Sequence, residues 1–407
     1  MENTIQSYIM DPKGRDVYGE VAQLRQRGDV TRVELNGVPA WAVTSYAIQK
    51  KMFSDPCVSR DPRKHWPAWI DGKIPREWPL FTWLDAQNMF TAHGSEHRRL
   101  RGIVSKTLTP RRVEALRPSI EEITFDCLNK LTSQRGKIVD LCPEYTQEIP
   151  IRVFCELMGI TEAGMRERMC RCVRGLFHTA ATPEEVVRTH AEIHTIIKEL
   201  ISAKGQKPGD DLTSALIVAR TEEGGSQLSE DELIGTILVL MMGGYETTAH
   251  LFGNAIVTIL SRPDQMELLR NSVITWHDVI EETLRYEPSV ANLPLRFAAE
   301  DIELGGVTIP KGDAIIVGLA AAGRDPAFFG ADAEQFDATR PNKRHLAFGH
   351  GVHVCLGALL ARVEAEIAFS HLFDRFPQIE LAEPTQNLEP VESWIMNGFR
   401  ALPVRLS

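Results

Sequence analysis

The apolar positions change period along the chain. Val30 to Val43, VTRVELNGVPAWAV, alternates apolar and polar residues on either side of Asn36-Gly37. That dipeptide suits a type I′ turn, so the pattern predicts a hairpin near the N-terminus. Thr44 is then placed to cap a short helix over SYAIQKKMF. Between Pro56 and Pro79 prolines and aromatics follow no period, which predicts a long loop with short turns, of a kind that often carries function.

From His93 to about Pro288 the spacing is helical. In TPEEVVRTHAEIHTIIKELI, Thr182 is a cap, Pro183 suits the first helical position and Glu185 completes a capping box. Val186, Val187, His190, Ile193, His194, Ile197 and Leu200 then recur on one face. LSEDELIGTILVLMMGGYETTAHLFGNAIVTILSRP reads as a single helix of about 30 residues, from Ser229 to just before Pro263, and one so apolar must run through the centre of the fold. After Pro288, DIELGGVTIPKGDAIIVGLAAAGRDP predicts short strands between turns. HLAFGHGVHVCLGALLARVEAEIAF then sets Cys355 among Gly349, Gly351 and Gly357, with Leu356, Leu359, Leu360, Val363 and Ile367 at helical spacing beyond it. The predicted class is mainly α with minor β. A single domain over 1–407 is expected, because no linker, low-complexity tract or repeat divides the chain.

With 407 residues, 43% hydrophobic and 25% charged, the chain has enough apolar side chain for a large core. The formal net charge of -10 argues against nonspecific binding to nucleic acid or an anionic membrane. The N-terminus, MENTIQSYIMDPKGRD, has no basic region followed by an apolar run, so no signal peptide or anchor is expected there. The most apolar stretch, Leu233 to Tyr245, is about 13 residues against the roughly 20 a spanning helix needs; a soluble cytoplasmic protein is expected. The seven cysteines are odd in number and scattered, which argues against a disulfide framework. Cys170 and Cys172 lack a second pair for zinc. His190 and His194 are four apart, but no His-Glu-x-x-His pattern or third ligand accompanies them.

Some positions break local rules. Cys355 sits just before or at the first turn of a helix, where free N–H groups and the dipole favour a thiolate. The glycines around it let the backbone turn tightly and leave room for something large and flat. A thiolate cradled by amides and covered by a planar group describes an axial sulfur ligand to haem iron; the alternative is a buried cysteine in a turn before a core helix. In GGYETT, Gly243 and Gly244 sit mid-helix, where glycine costs about 1 kcal/mol relative to alanine. Glu246 stands among apolar residues, where an unpaired charge is costly. Such violations mark a site.

FGHGVHVCLG resembles the haem-binding signature of cytochrome P-450 monooxygenases: Phe348, Gly349, Gly351, His353, Cys355 and Gly357 match in type and spacing. The resemblance extends over essentially the whole chain. It is nearest to actinobacterial hydroxylases of that family, including a subgroup acting on steroids and macrocyclic natural products. It implies a P-450 fold with a long central helix over haem b (iron protoporphyrin IX), and Cys355 as the iron ligand. By the same resemblance Glu282 and Arg285, three apart in ETLR, are buried and lock the loop before the cysteine, with Arg340 as third partner. His97 and Arg101 in HGSEHRRLRG, Arg296 in LPLRFAAED, and His353 become contacts of the haem propionates. Thr247 is placed to hydrogen-bond oxygen in a gap of the helix, with Glu246 relaying protons from solvent. Two departures are mild: Gly243 stands where alanine is commoner, and Gly323 where asparagine is usual.

The function so implied is hydroxylation of a bulky apolar substrate with O₂. The chain shows no flavin- or iron–sulfur-binding region, so electrons are expected from a ferredoxin and its ferredoxin reductase. Arg98, Arg99, Arg111, Arg112, Lys343, Arg344 and Arg362 flank segments expected on the cysteine side, where they would steer an acidic partner. The substrate wall is expected from Trp83, Met89 and Phe90 in the loop, Leu238 and Met242 in the central helix, Val290, Ala291 and Leu293 after Pro288, and Ile395 with Met396 near the C-terminus. Nearly all are apolar, which points to a steroid or macrocycle. Two alternatives stand beside this: an oxidative aryl-coupling enzyme of the same fold, and a non-catalytic haem-binding protein.

Overall fold

The computed structural model describes residues 7–221 and 227–407, so the first six residues of the segment read as lacking a leader lie outside it. The predicted hairpin forms. Strands Val30–Leu35 and Val38–Val43 pair antiparallel, and Asn36 and Gly37 take the positive φ values (48° and 79°) that a type I′ turn requires. The hairpin joins a six-stranded sheet ordered Tyr8–Ile9, Val30–Leu35, Val38–Val43, Ala314–Gly318, Asn292–Ala298 and Val58–Ser59. A register shift between Leu293 and Arg296 puts a bulge in the Asn292–Ala298 strand. The 56–79 segment holds the short Val58–Ser59 strand and two single-turn helices, Pro62–His65 and Pro67–Ile70.

Helices make up most of the rest. The capping box at Thr182 and Glu185 is present at the start of helix Pro183–Gln206, and a second one joins Ser229 to Glu232. The single central helix expected from Ser229 is instead two, Glu230–Gly244 and Glu246–Leu260, broken at Tyr245 (φ −136°, ψ −40°). The two glycines just before the break differ in their surroundings. A Cβ on Gly244 would lie 2.2 Å from the Phe154 ring, so a neighbour occupies that face; a Cβ on Gly243 would meet nothing within 4 Å. Helix Tyr46–Phe53 also departs from expectation. Its N-cap is Ser45, without a side-chain bond, while the Thr44 hydroxyl donates to the Asp29 carbonyl at 3.4 Å.

The Glu246–Leu260 helix packs on helices Trp276–Tyr286 and Ala358–Arg375. Phe252 and Phe369 meet in the core between them, ring centroids 5.2 Å apart. Among the described residues no helix is long and apolar enough to cross a membrane.

Candidate active site

The loop before helix Ala358–Arg375 is shaped by its glycines. Gly349 and Gly351 sit at φ 72° and 70°, which non-glycine residues rarely adopt. At Gly351 a Cβ would also lie 2.7 Å from the Phe53 carbonyl oxygen. The Cys355 N–H donates to the Phe348 carbonyl at 2.8 Å, closing the loop beneath the sulfur. Behind it Arg362 donates to Glu281 at 3.0 Å while its guanidinium lies 4.6 Å from the centre of the Phe348 ring.

Glu282, Arg285 and Arg340 converge. Arg285 donates to both Glu282 oxygens, at 2.9 and 2.7 Å, and its other N–H groups reach the carbonyls of Gly323, Ala333 and Gln335. Arg340 approaches Glu282 at 3.5 Å. This contact also accounts for Gly323: a Cβ there would lie 1.9 Å from the Arg285 carbonyl oxygen.

Cys355 opens on an interior cavity of two contiguous lobes, with about 1040 and 980 Å³ of empty space, that share Arg60, Gly243, Thr247, Phe348, His353 and Cys355. The sulfur's exposed surface faces this cavity. The expectation of a lowered thiol pKa is overturned in sum. Burial raises it and outweighs the Gly357 and Ala358 amides and the cations Arg101 and Arg362, which all favour the thiolate. A metal cation at the sulfur is what such a thiol needs to give up its proton.

The cavity's cations share one property. Arg60, Arg101 and Arg296 form no ion pair among the described residues, although Arg60 and Arg296 are buried. Burial lowers the pKa of Arg296 to about 9 and that of His97 to about 4. His353 is pushed far below its ordinary range by burial, then by Arg60 and Arg296. The His97 and His353 rings lie 4.0 Å apart, and His97 Nε2, Arg296 Nε and an Arg60 terminal nitrogen are buried without a hydrogen-bond partner among the described residues. Buried unpaired cations are costly unless an anion joins them. Apolar walls, a thiol at the base and cations at one edge suit a flat dicarboxylate that carries a metal, so the residues fit haem.

The other expected site residues divide. Thr247 lines both lobes and donates to the Gly243 carbonyl at 3.1 Å. Glu246 does not line them; its carboxylate lies 3.5 Å from His250 and faces a separate cleft. Trp83, Phe90, Met242, Val290, Leu293 and Ile395 line the first lobe, and Met89 lines the second. Leu238 and Ala291 line neither and are fully buried, while Met396 faces the cleft of Glu246. Among the expected docking cations, Arg99, Arg112, Lys343 and Arg362 are held by Glu232, Asp210, Asp278 and Glu281.

Sequence reasoning missed three residues. Arg60 stands at the cavity edge with its guanidinium 3.4 Å from the Phe90 ring centre. Thr248 lines both lobes beside Thr247. Glu364 is buried against the second lobe, which pushes its carboxyl well above the usual range.

Comparison with known proteins agrees with this geometry. The cytochrome P450 family model matches residues 179–403. The 2-hydroxy-5-methyl-1-naphthoate 7-hydroxylase of Streptomyces carzinostaticus is 42% identical over 98% of this chain and 97% of its own length. The 6-deoxyerythronolide B hydroxylase of Saccharopolyspora erythraea is 36% identical over 96% of each. CYP154A1 from Streptomyces coelicolor A3(2) superposes with a TM-score of 0.94 at 43% identity, covering 98% of this chain and 100% of that one. The chain belongs to the cytochrome P450 family: it is a haem-b monooxygenase, an oxidoreductase, with the P450 fold.

Proposed function

We propose that this chain hydroxylates a bulky apolar substrate, a steroid or a macrocyclic natural product, using O₂ and electrons delivered by a ferredoxin and its reductase. The reading takes the whole of 1–407 as one cytoplasmic domain. The observation that carries it is the first lobe over Cys355, walled by Trp83, Phe90, Phe177, Met242, Val290, Leu293 and Ile395. Such a wall binds by removing apolar surface from water, at about 25 cal/mol per Å². Two likenesses support it: the relative that hydroxylates 6-deoxyerythronolide B, and testosterone-bound CYP154C4 from Streptomyces, which superposes with a TM-score of 0.94 at 40% identity over 99% of this chain and 98% of that one.

Cys355 would hold haem through its iron, and the bound haem would supply the chemistry that activates O₂. The chain's own residues do the rest. The Gly357 and Ala358 amides stabilise the thiolate. Arg101, Arg296, His97 and His353 would hold the propionates. The open face at Gly243 leaves space beside the Thr247 hydroxyl, which is positioned to hold a proton at Oγ1 for the oxygen end. Glu246, on the other side of the helix break, supplies that proton from solvent. The apolar lobe would exclude water and hold the substrate over Cys355.

Titrating steroids and macrolides while following the haem spin shift tests the substrate class, and product mass tests the reaction. Addition of one oxygen supports hydroxylation; loss of two hydrogens supports aryl coupling instead.

A further inference from the structure

Arg60 is a buried cation without an ion pair among the described residues. It is 4% exposed, lines both lobes over Cys355, and has a terminal nitrogen with no hydrogen-bond partner among the described residues. Its sequence neighbour Asp61 does not serve it, because that carboxylate accepts from Arg63 at 3.0 Å. A ring holds the head group instead: the guanidinium carbon lies 3.4 Å from the centre of Phe90. This contact favours the cation and orients its plane but uses none of its N–H groups. The edge of the fork is left for a planar anion such as a carboxylate.

The charges of the cavity do not balance with haem alone. Its cations are Arg60, Arg101 and Arg296, because burial lowers the pKa of His97 to about 4 and that of His353 further still. Among the described residues no aspartate or glutamate lines the first lobe. Glu364 is the acid of the second, and burial pushes its carboxyl well above the usual range, so it stays protonated. Haem brings two propionates, and its ferric iron is offset by the porphyrin and the Cys355 thiolate. Three guanidiniums against two carboxylates leave one buried positive charge over, which is costly until an anion joins it. Position singles out Arg60. Arg101 lines the second lobe alone, and Arg296 stacks on Phe53, its guanidinium 4.6 Å from the ring centre. Arg60 stacks on Phe90, which meets Trp83 in the substrate wall with ring centroids 6.0 Å apart.

We propose that Arg60 anchors a carboxylate on the substrate, so that the ligand of the first lobe is an apolar body carrying one anionic group. The inference rests on the reading of that lobe as the substrate pocket, and narrows it. The carboxylate takes the free edge of Arg60 and cancels the surplus charge. It also sets which end of the apolar body lies at Phe90.

Matched ligands test this on the holoenzyme. Progesterone is compared with the steroid acid in which a carboxyl replaces its acetyl group, and acetylanthracene with anthracenecarboxylic acid. Binding is read from the haem spin shift and, independently, by equilibrium dialysis. In the pair that the lobe accepts, wild-type protein should bind the acid roughly tenfold more tightly than the ketone. Arg60→Gln should erase that preference, weakening the acid roughly tenfold while the ketone binds as well or better. Arg60→Lys should recover part of it. Haem transfer to apomyoglobin should run in Arg60→Gln at close to the wild-type rate. Ketones bound as tightly as acids by the wild type, or a preference for acids that survives Arg60→Gln, would overturn the anchor. Haem loss from Arg60→Gln as fast as from Arg296→Leu would assign Arg60 to a propionate and overturn it as well. If none of the four compounds binds, the reading of the lobe as a pocket for bulky apolar bodies falls, and the anchor with it.

Discussion

Glu282 and Arg285 meet at 2.7 Å with no side-chain surface of either exposed. One turn of helix Trp276–Tyr286 thus ties down two remote segments: Arg285 binds the carbonyls of Gly323, Ala333 and Gln335, and Glu282 accepts the Asp337 N–H at 2.9 Å. Both segments lead into the cysteine loop. Glu282→Ala should therefore destabilise the fold by about 3–5 kcal/mol, because it strands a buried guanidinium. Chemical denaturation checks the loss, and haem content per chain should fall with it.

Arg296 makes the opposite kind of prediction. It is a buried cation with no ion pair among the described residues, and it stands beside Arg60. Arg296→Leu should stabilise the cofactor-free chain, since an unpaired charge leaves the interior. It should also speed haem loss roughly tenfold, because a propionate loses a partner. Thermal unfolding of the apoprotein and haem transfer to apomyoglobin read the two effects separately.

A pH dependence follows from His97, whose pKa in the folded chain is lowered from 6.5 to about 4, chiefly by burial. The unfolded chain then binds more protons than the folded one between those values. Stability of the cofactor-free protein should rise with pH across this window and be lost as the pH falls from about 6.5 to 4. His97→Phe should flatten that limb in urea titrations taken at several pH values.

Thr247→Ala removes the hydroxyl that lines both lobes. Substrate should still bind, with an unchanged spin shift, while electrons go to peroxide. Peroxide yield per NAD(P)H consumed should rise severalfold, within the range over which general acids act. Unchanged coupling would remove Thr247 from proton delivery.

What could be read in the sequence was what local chemistry decides. Asn36-Gly37, the Thr182–Glu185 box and the glycines around Cys355 carry their conformations in their own residue types. The need for glycine at 244 was hidden because it depends on Phe154, remote in sequence, filling that face. Arg60 reads as an ordinary charge in a proline-rich loop. It joins Arg296 only because Val58–Ser59 pairs with Phe297 and Ala298. The substrate wall was half legible for a similar reason: pairing with a segment remote in sequence decides which of these side chains face the lobe. Val290 and Leu293 face the lobe while Ala291 is turned away, its N–H bonded to the Ile395 carbonyl at 2.7 Å. Ile395 faces the lobe and Met396 the cleft.

The central claim is that the Cys355 thiolate is the axial ligand of haem iron, and the Soret band of the reduced carbon monoxide complex tests it most directly. Wild-type protein should show the red-shifted band that requires a thiolate opposite carbon monoxide. Cys355→Ser should lose that band even where haem is retained. A red-shifted band that persists in Cys355→Ser would mean that another residue holds the iron, and would contradict the account built on this loop.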